Sequence, residues 1–235
     1  HPVKDANSLA QLEQWKKQQR KKQPLIADNS IDLVISNCVL NLVGDDQKRQ
    51  LTEEIFRVLK PGGWLAISDI VSDEPIPQHL KDDETLWSGC ISGAFLEEEI
   101  LQRFAEAGFL AVKIDKWATE PWQIVEDIEF RSITVTAIKG EGSECIDKGH
   151  AVIYRGPHAN VRDDEGHEFP RGERMAVCER TFRFLTEGPL GEDFIGIAPA
   201  QEHKSVPWCA PSGSRRPASE TKRGVHIHRT SGSCC

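Results

Sequence analysis

The sequence predicts an α/β fold, a partial sheet of strands alternating with helices, followed by a small β-rich C-terminal domain. Three observations carry this expectation. Residues 31–36, IDLVIS, form a short β-branched and apolar run behind the turn-like Asp28-Asn29-Ser30, the pattern of a strand buried on both faces of a parallel sheet. Residues 47–59 then place Leu51, Ile55, Phe56, Val58 and Leu59 on one helical stripe, which Lys60-Pro61-Gly62-Gly63 stops before a second apolar run at 64–70. Beyond residue 143 the period shortens to small strands separated by turns such as Asp164-Glu165-Gly166 and Arg171-Gly172.

Composition narrows the class of function. The chain has 235 residues and 38% hydrophobic content, enough for a sizeable core in one or two domains. A net charge of −8 and a pI near 5.5 argue against a general nucleic-acid binder, which needs a cationic face to displace counterions. No run of about 18 apolar residues and no signal peptide is present, so a cytoplasmic protein with no membrane partner is expected. Seven cysteines, an odd number, fit free thiols or soft-element ligands better than a disulfide framework.

Taken in order, residues 1–23 are a polar leader rich in lysine and glutamine, with WKKQQRKKQ as a solvated basic helix or frayed segment. The strand at 31–36 delivers Asn37 and Cys38 at its carboxyl end, where ligands of open α/β sheets bind. VSDEPIPQHL at 71–80 is broken by prolines and suits a loop over the cleft. Residues 82–95, DDETLWSGCISGAF, read as a helix-like piece in which small neighbours leave Cys90 approachable. In 97–108, EEEILQRFAEAG, a helix turns Ile100, Leu101, Phe104 and Ala105 inward and stops at Gly108. Residues 109–117 and 132–139 alternate as strands and complete the sheet as an antiparallel edge pair. A boundary is expected at 140–143, then the β-rich accessory domain to residue 200, and a disordered tail over 201–235 where Pro, Ser, Gly, Arg and Lys dominate.

With LKPGG between helix and strand, the segment resembles the second half of Rossmann-like methyltransferases that use S-adenosylmethionine. SNCVLNL at 36–42 and LWSGCISGAF at 86–95 more particularly resemble the arsenite methyltransferases. The resemblance runs from about residue 24 to about residue 200. It implies methyl transfer from S-adenosylmethionine to trivalent arsenic in detoxification, a small-molecule substrate (arsenite or its thiol conjugate) and a thiol reductant. It assigns Cys38 and Cys90 as catalytic residues and arsenic ligands, in a methyltransferase domain over 24–140. Two features depart from the pattern. No glycine-rich cofactor turn occurs, and Lys21, Lys22 and Gln23 stand where relatives usually carry an acidic pair. The sequence is therefore expected to be an N-terminally truncated fragment that binds cofactor weakly and is inactive alone.

Residue chemistry is consistent with that assignment without requiring it. Thiolates are the ligands a soft trivalent centre prefers, but Cys38 and Cys90 lie far apart in sequence, and each read by its composition alone is more simply a small buried hydrophobe. Asn37 and Val39 are expected at the cofactor from their place at the strand end. Asp69 reads as a polar strand terminus. Cys145 and Cys178 are expected to be packing residues, and the terminal Cys234-Cys235 pair either captures arsenic or is an unused tail. The histidines, among them His158, His167, His226 and His228, lack zinc-site spacing. Two rivals stay open: a related methyltransferase acting on a small organic acceptor, in which the cysteines only pack, and a catalytically silent protein that binds arsenite or another soft metal.

Overall fold

The computed structural model describes residues 3–22, 24–188 and 190–222. The chain divides into two compact units, His1–Gly140 and Glu141–Cys235. In the first, an exposed helix α1 (Ala6–Lys22) precedes β1 (Ile31–Asn37), α2 (Asp45–Val58) and β2 (Leu59–Ser72). After β2 come the short helices α3 (Gln78–Lys81) and α4 (Glu84–Ser88), then β3 (Phe95–Leu96) and α5 (Glu97–Glu106). The unit ends with β4 (Phe109–Trp117), β5 (Gln123–Val125) and β6 (Ile128–Lys139). The sheet order is β1-β2-β6-β4, with β3 beside β2 and β5 beside β6. β1 and β3 run parallel to β2, whereas β6 runs antiparallel to both β2 and β4. β6 thus lies inside the sheet and β4 at its rim.

α2 forms because its apolar stripe faces the sheet, with Ile55 and Val58 buried and Asp45 and Asp46 favouring the amino end of the helix. The helix stop at LKPGG takes an unexpected form. β2 starts at Leu59 and runs through Pro61, while the register with β1 advances five positions on β2 (Leu59 to Trp64) against two on β1 (Ile31 to Leu33). The extra residues bulge out at Gly62, whose φ of +77° is the left-handed conformation glycine tolerates. The core beneath the sheet joins Leu59, Leu65, Ile67 and Val71 of β2 to Ile100 and Phe104 of α5 and to Phe109, Ile133 and Val135.

Several expectations need correction. β1 is not buried on both faces: among the described residues it pairs only with β2, so Leu33 and Ile35 are 48% and 70% exposed while Val34 packs on the core. An apolar run signals a strand but not whether a neighbour covers it. Ala105 is exposed rather than inward, because α5 rests on Ile100 and Phe104 and turns the next position outward. The proline-broken loop contains α3, and 82–95 folds as one turn of helix, a tight turn and a short strand.

The second unit holds β7 (Ile146–Asp147), β8 (Ala151–Tyr154), β9 (Asn160–Arg162), β10 (Glu168–Pro170), β11 (Met175–Ala176), helix α6 (Glu179–Glu187), β12 (Phe194–Ile197), β13 (Val206–Pro207) and α7 (Ala218–Thr221). Its core gathers Val152, Tyr154, Phe169, Met175, Val177, Leu185 and Phe194. Residues 179–187, expected as part of a strand series, are helical: Cys178 caps the first turn and Thr181 and Leu185 face inward. The disordered tail is also corrected as far as residue 222. β13 pairs with β7, and Arg216 forms a 2.7 Å ion pair with Asp147 in which both side chains are about nine-tenths buried. Composition misses this because the segment is held by specific polar contacts to distant residues rather than by apolar content. Residues 223–235, with His226, His228, Cys234 and Cys235, lie outside the described part.

Candidate active site at the carboxyl ends of β1 and β2

Cys38 follows β1 directly, and its N–H donates to the Ser68 carbonyl of β2 over 2.9 Å, prolonging the parallel ladder by one bond. There the chain turns away through a φ of +52° at Cys38. A left-handed conformation is uncommon for a residue with a side chain and costs on the order of 1–3 kcal/mol, so it persists only where surrounding bonds enforce it. Asp69 supplies that enforcement. Its side chain is 1% exposed and accepts the N–H groups of Leu40 and Ile70 at 2.9 Å each, with those of Val39 and Asn41 also turned toward it. Burial raises the carboxyl pKa, and the converging N–H groups oppose that rise. Asp69 therefore anchors the turn that aims Cys38, a larger role than that of a polar strand end.

The loop carrying Cys90 is brought to the same place by residues distant in sequence. Asp83 caps α4, accepting from the N–H groups of Thr85 and Leu86 at 2.8 and 2.9 Å. Ile91, 1% exposed, pins the turn behind it, and the Ser92 hydroxyl donates to the Leu80 carbonyl over 2.5 Å. Asn41, wholly buried, ties the two halves: its amide donates to the carbonyls of Ile70 (2.7 Å) and Cys90 (3.1 Å). Gly93 is packed so closely that a Cβ there would lie 1.9 Å from the Asn41 carbonyl oxygen. Cys90 also has a left-handed backbone, with φ +63°.

The two cysteines therefore meet. The Cys90 thiol reaches the Cys38 carbonyl at 3.7 Å, and the Cys38 thiol donates to Asn37 Oδ1 at 3.3 Å. Cys38 is exposed and Cys90 partly so, which leaves both sulfurs open to a small ligand. Burial, and next the charge of Asp69, raises both thiol pKa values, and Cys38 adds to the rise at Cys90. Neither thiol is a free thiolate at neutral pH. A neutral, thiophilic ligand that takes the thiol protons away as water suits such a pair better than a cation that must expel them.

Asn37 and Val39 are both exposed beside Cys38, Val39 by 51%. Sequence reading missed Asn41 and Gly93. The trace was there in SNCVLNL and SGCISGAF, where an asparagine among apolar residues and a glycine among small ones mark a buried tether and a close approach. In the second unit the oxygens and ring nitrogen of Asp163, Glu165 and His167 lie within 4.8 Å of one another. These groups are already occupied, His167 Nδ1 by Asp163 at 2.8 Å and Glu165 by Arg180 at 2.5 Å.

The first unit is a methyltransferase-type α/β domain with a mixed central sheet: residues 5–108 match the family described as methyltransferase domain. Residues 141–226 match a domain of unknown function, DUF8838. Among individual proteins, the chain is similar to arsenite methyltransferases. It is 33% identical over 193 residues to that of Aquipseudomonas alcaligenes (76% of this chain, 54% of the relative) and 31% identical over 179 residues to that of Mus musculus (72% and 47%). A crystal structure of an arsenic(III) S-adenosylmethionine methyltransferase from Chlamydomonas reinhardtii superposes with a TM-score of 0.50 at 27% identity, covering 83% of this chain and 67% of that one. The chain spans about half the length of the curated relatives it matches. Among the described residues no helix is long and apolar enough to cross a membrane.

Proposed function

We propose that this chain carries the arsenic-holding half of an S-adenosylmethionine-dependent arsenite methyltransferase site, with Cys38 and Cys90 as the arsenic ligands. The observation that carries the reading is the convergence of two accessible thiols on left-handed backbones, 52 positions apart, at the carboxyl end of a parallel strand. When arsenous acid exchanges two hydroxyls for these sulfurs, two As–O bonds break and two As–S bonds form. Each thiol proton leaves with a hydroxyl as water. The arsenic keeps its lone pair, and the turn anchored by Asp69 and Asn41 fixes where that lone pair points.

The adenosyl cofactor would lie beside the carboxyl end of β1. The exposed Asn37 amide and Val39 side chain stand beside Cys38 at the strand end, where such a ligand binds. Asn37 would take a polar group of the cofactor and Val39 would pack against its sulfonium side. The cofactor supplies an electrophilic methyl group; the chain's own part is to hold the acceptor in line with it and to keep Cys38 oriented through Asp69.

Arsenite titration of the chain and of Cys38→Ser and Cys90→Ser tests the reading. Each single variant should lose affinity by roughly 100-fold, because a remaining thiol lacks the intramolecular second bond. Wild-type affinity in either would refute it. An assay for methylated arsenic in the presence of S-adenosylmethionine separates methyl transfer from simple arsenic binding.

A further inference from the structure

Lys48 is a charged residue in an apolar place. With Thr52, Ile55 and Val58 it makes up the buried side of α2, and its side chain is only 8% exposed. A leucine there would fill the same stripe with no ammonium to desolvate, so stability alone does not account for the lysine. Its contacts do. The Lys48 ammonium donates to Asp45 Oδ1 at 2.6 Å and to the Gly93 carbonyl at 2.8 Å, and it stands 4.4 Å from the centre of the Phe95 ring. Asp45 also accepts from Lys81 of α3 at 3.5 Å, which ties the first turn of α2 to the segment leading toward Cys90.

Directly after Cys90 the Ala94 N–H donates to the Ile91 carbonyl over 2.9 Å, closing a tight turn that contains Gly93. Two carbonyls of this segment are gripped from outside, that of Cys90 by the Asn41 amide and that of Gly93 by Lys48. Packing does not confine it on every side, because a cleft of about 250 Å³ lined by Lys48, Ile76, Ala94 and Phe95 opens against the same segment. We infer that Lys48 is a positioning residue for Cys90: its buried ammonium holds the Gly93 carbonyl, and with it the turn that sets the Cys90 thiol against Cys38.

Lys48 acts through the backbone and not on the thiol, whose proton affinity is raised by burial and then by Asp69 and Cys38. Without the ammonium the Gly93 carbonyl loses its donor, and the turn is free to relax toward the cleft. A shift of about 1 Å there moves one sulfur off the position a two-sulfur chelate needs and weakens binding roughly 10- to 100-fold. The effect on arsenic rests on the proposed function; the effect on the spacing of the two thiols does not.

The test is Lys48→Met in the full chain, which keeps an unbranched stem in the stripe and removes the charge. Asp45, with its side chain 63% exposed, is left to solvent, so the variant buries no orphan carboxylate. The first readout needs no arsenic. Dibromobimane, a short reagent that alkylates two thiols, should bridge Cys38 to Cys90 in the wild type, read as the linked peptide by mass spectrometry, and the yield should fall several-fold in Lys48→Met. Arsenite affinity should fall with it, roughly 10- to 100-fold. Thr52→Ala, one turn further along the same buried stripe, should lower stability to urea and leave bridging and affinity unchanged. Lys48→Arg, which keeps a cationic donor for the Gly93 carbonyl, should recover most of the bridging. No linked peptide in the wild type, unchanged bridging in folded Lys48→Met, an equal loss in Thr52→Ala, or no recovery in Lys48→Arg would each overturn the inference. Bridging that depends on Lys48 in a protein that binds no arsenite would uphold it and refute the arsenic reading instead.

Discussion

Gly93→Ala is the most direct probe of how the Cys90 loop is seated. An added Cβ would fall 1.9 Å from the Asn41 carbonyl oxygen, against an ordinary contact of 3.4 Å or more, so the two segments must separate by about 1.5 Å. Asn41 and the Gly93 carbonyl are both held, the latter by Lys48 Nζ at 2.8 Å, so the separation falls on the turn that carries Cys90 and strains its 3.1 Å bond to Asn41. A displacement of that size costs on the order of 100-fold where geometry governs reactivity, and overpacking costs about 1–3 kcal/mol of stability. Arsenite titration followed by tryptophan emission, with Trp87 close to the loop, measures the first effect, and urea denaturation the second. Gly89→Ala is the matched control, since a Cβ there meets nothing nearer than 3.5 Å and φ is already −84°. Full arsenite affinity in Gly93→Ala, or equal losses in the two variants, would refute the claim that close approach at Gly93 sets the position of Cys90.

Other outcomes follow from the same geometry. Asn41→Ala removes the amide that serves the Ile70 and Cys90 carbonyls and should cost about 2–4 kcal/mol in urea denaturation, with weakened arsenite binding as the loop detaches. Arg216→Ala leaves Asp147 buried without its partner and should destabilise the second unit by about 3–5 kcal/mol, and deletion of residues 201–235 should lower its melting temperature as well. His167 has its pKa raised by the hydrogen bond to Asp163, so its contribution to stability is complete below the ordinary histidine value and is lost as pH rises through the higher folded one. The stability difference between the wild type and His167→Gln should therefore shrink as pH is taken from about 5.5 to about 9, and a difference that grows would contradict the assignment. Arsenite affinity at Cys38 and Cys90 should stay level between about pH 6 and about pH 8, since both thiols are neutral and their protons leave as water, whereas zinc affinity at thiols climbs with pH.

Sequence carried the first unit further than the second because its elements are long enough to show a period. The stripe of α2, the alternation of β6 and the stop at Gly108, where φ is +97°, are local signals, whereas β4 is half-buried at its start and exposed over its second half. Cys38 and Cys90 are singled out by their flanking strings, and the structure brings the two loops that carry them together. Exposure of β1 was not legible, since whether Leu33 and Ile35 are covered depends on a neighbour and not on the strand. In the second unit β7, β11 and β13 are two residues long, too short for any period, and α6 mixes Phe182 and Phe184 with charged residues in a way that alternates as well as it spirals. β13 is hidden for the same reason: nothing in the surrounding proline- and serine-rich stretch announces its pairing with β7.

That pairing also sets a timetable for synthesis. β7 is among the first parts of the second unit to leave the ribosome, yet its partner β13 emerges about 60 residues later and the guanidinium that neutralises Asp147 later still, at a separation of 69. Until then a carboxylate destined for burial waits in solvent. Closure over so long a loop is intrinsically slow. A chain cut between residues 200 and 205 would lack both β13 and Arg216 and leave Asp147 without its ion-pair partner, so protease sensitivity near β7 becomes a reporter of whether the far end has arrived.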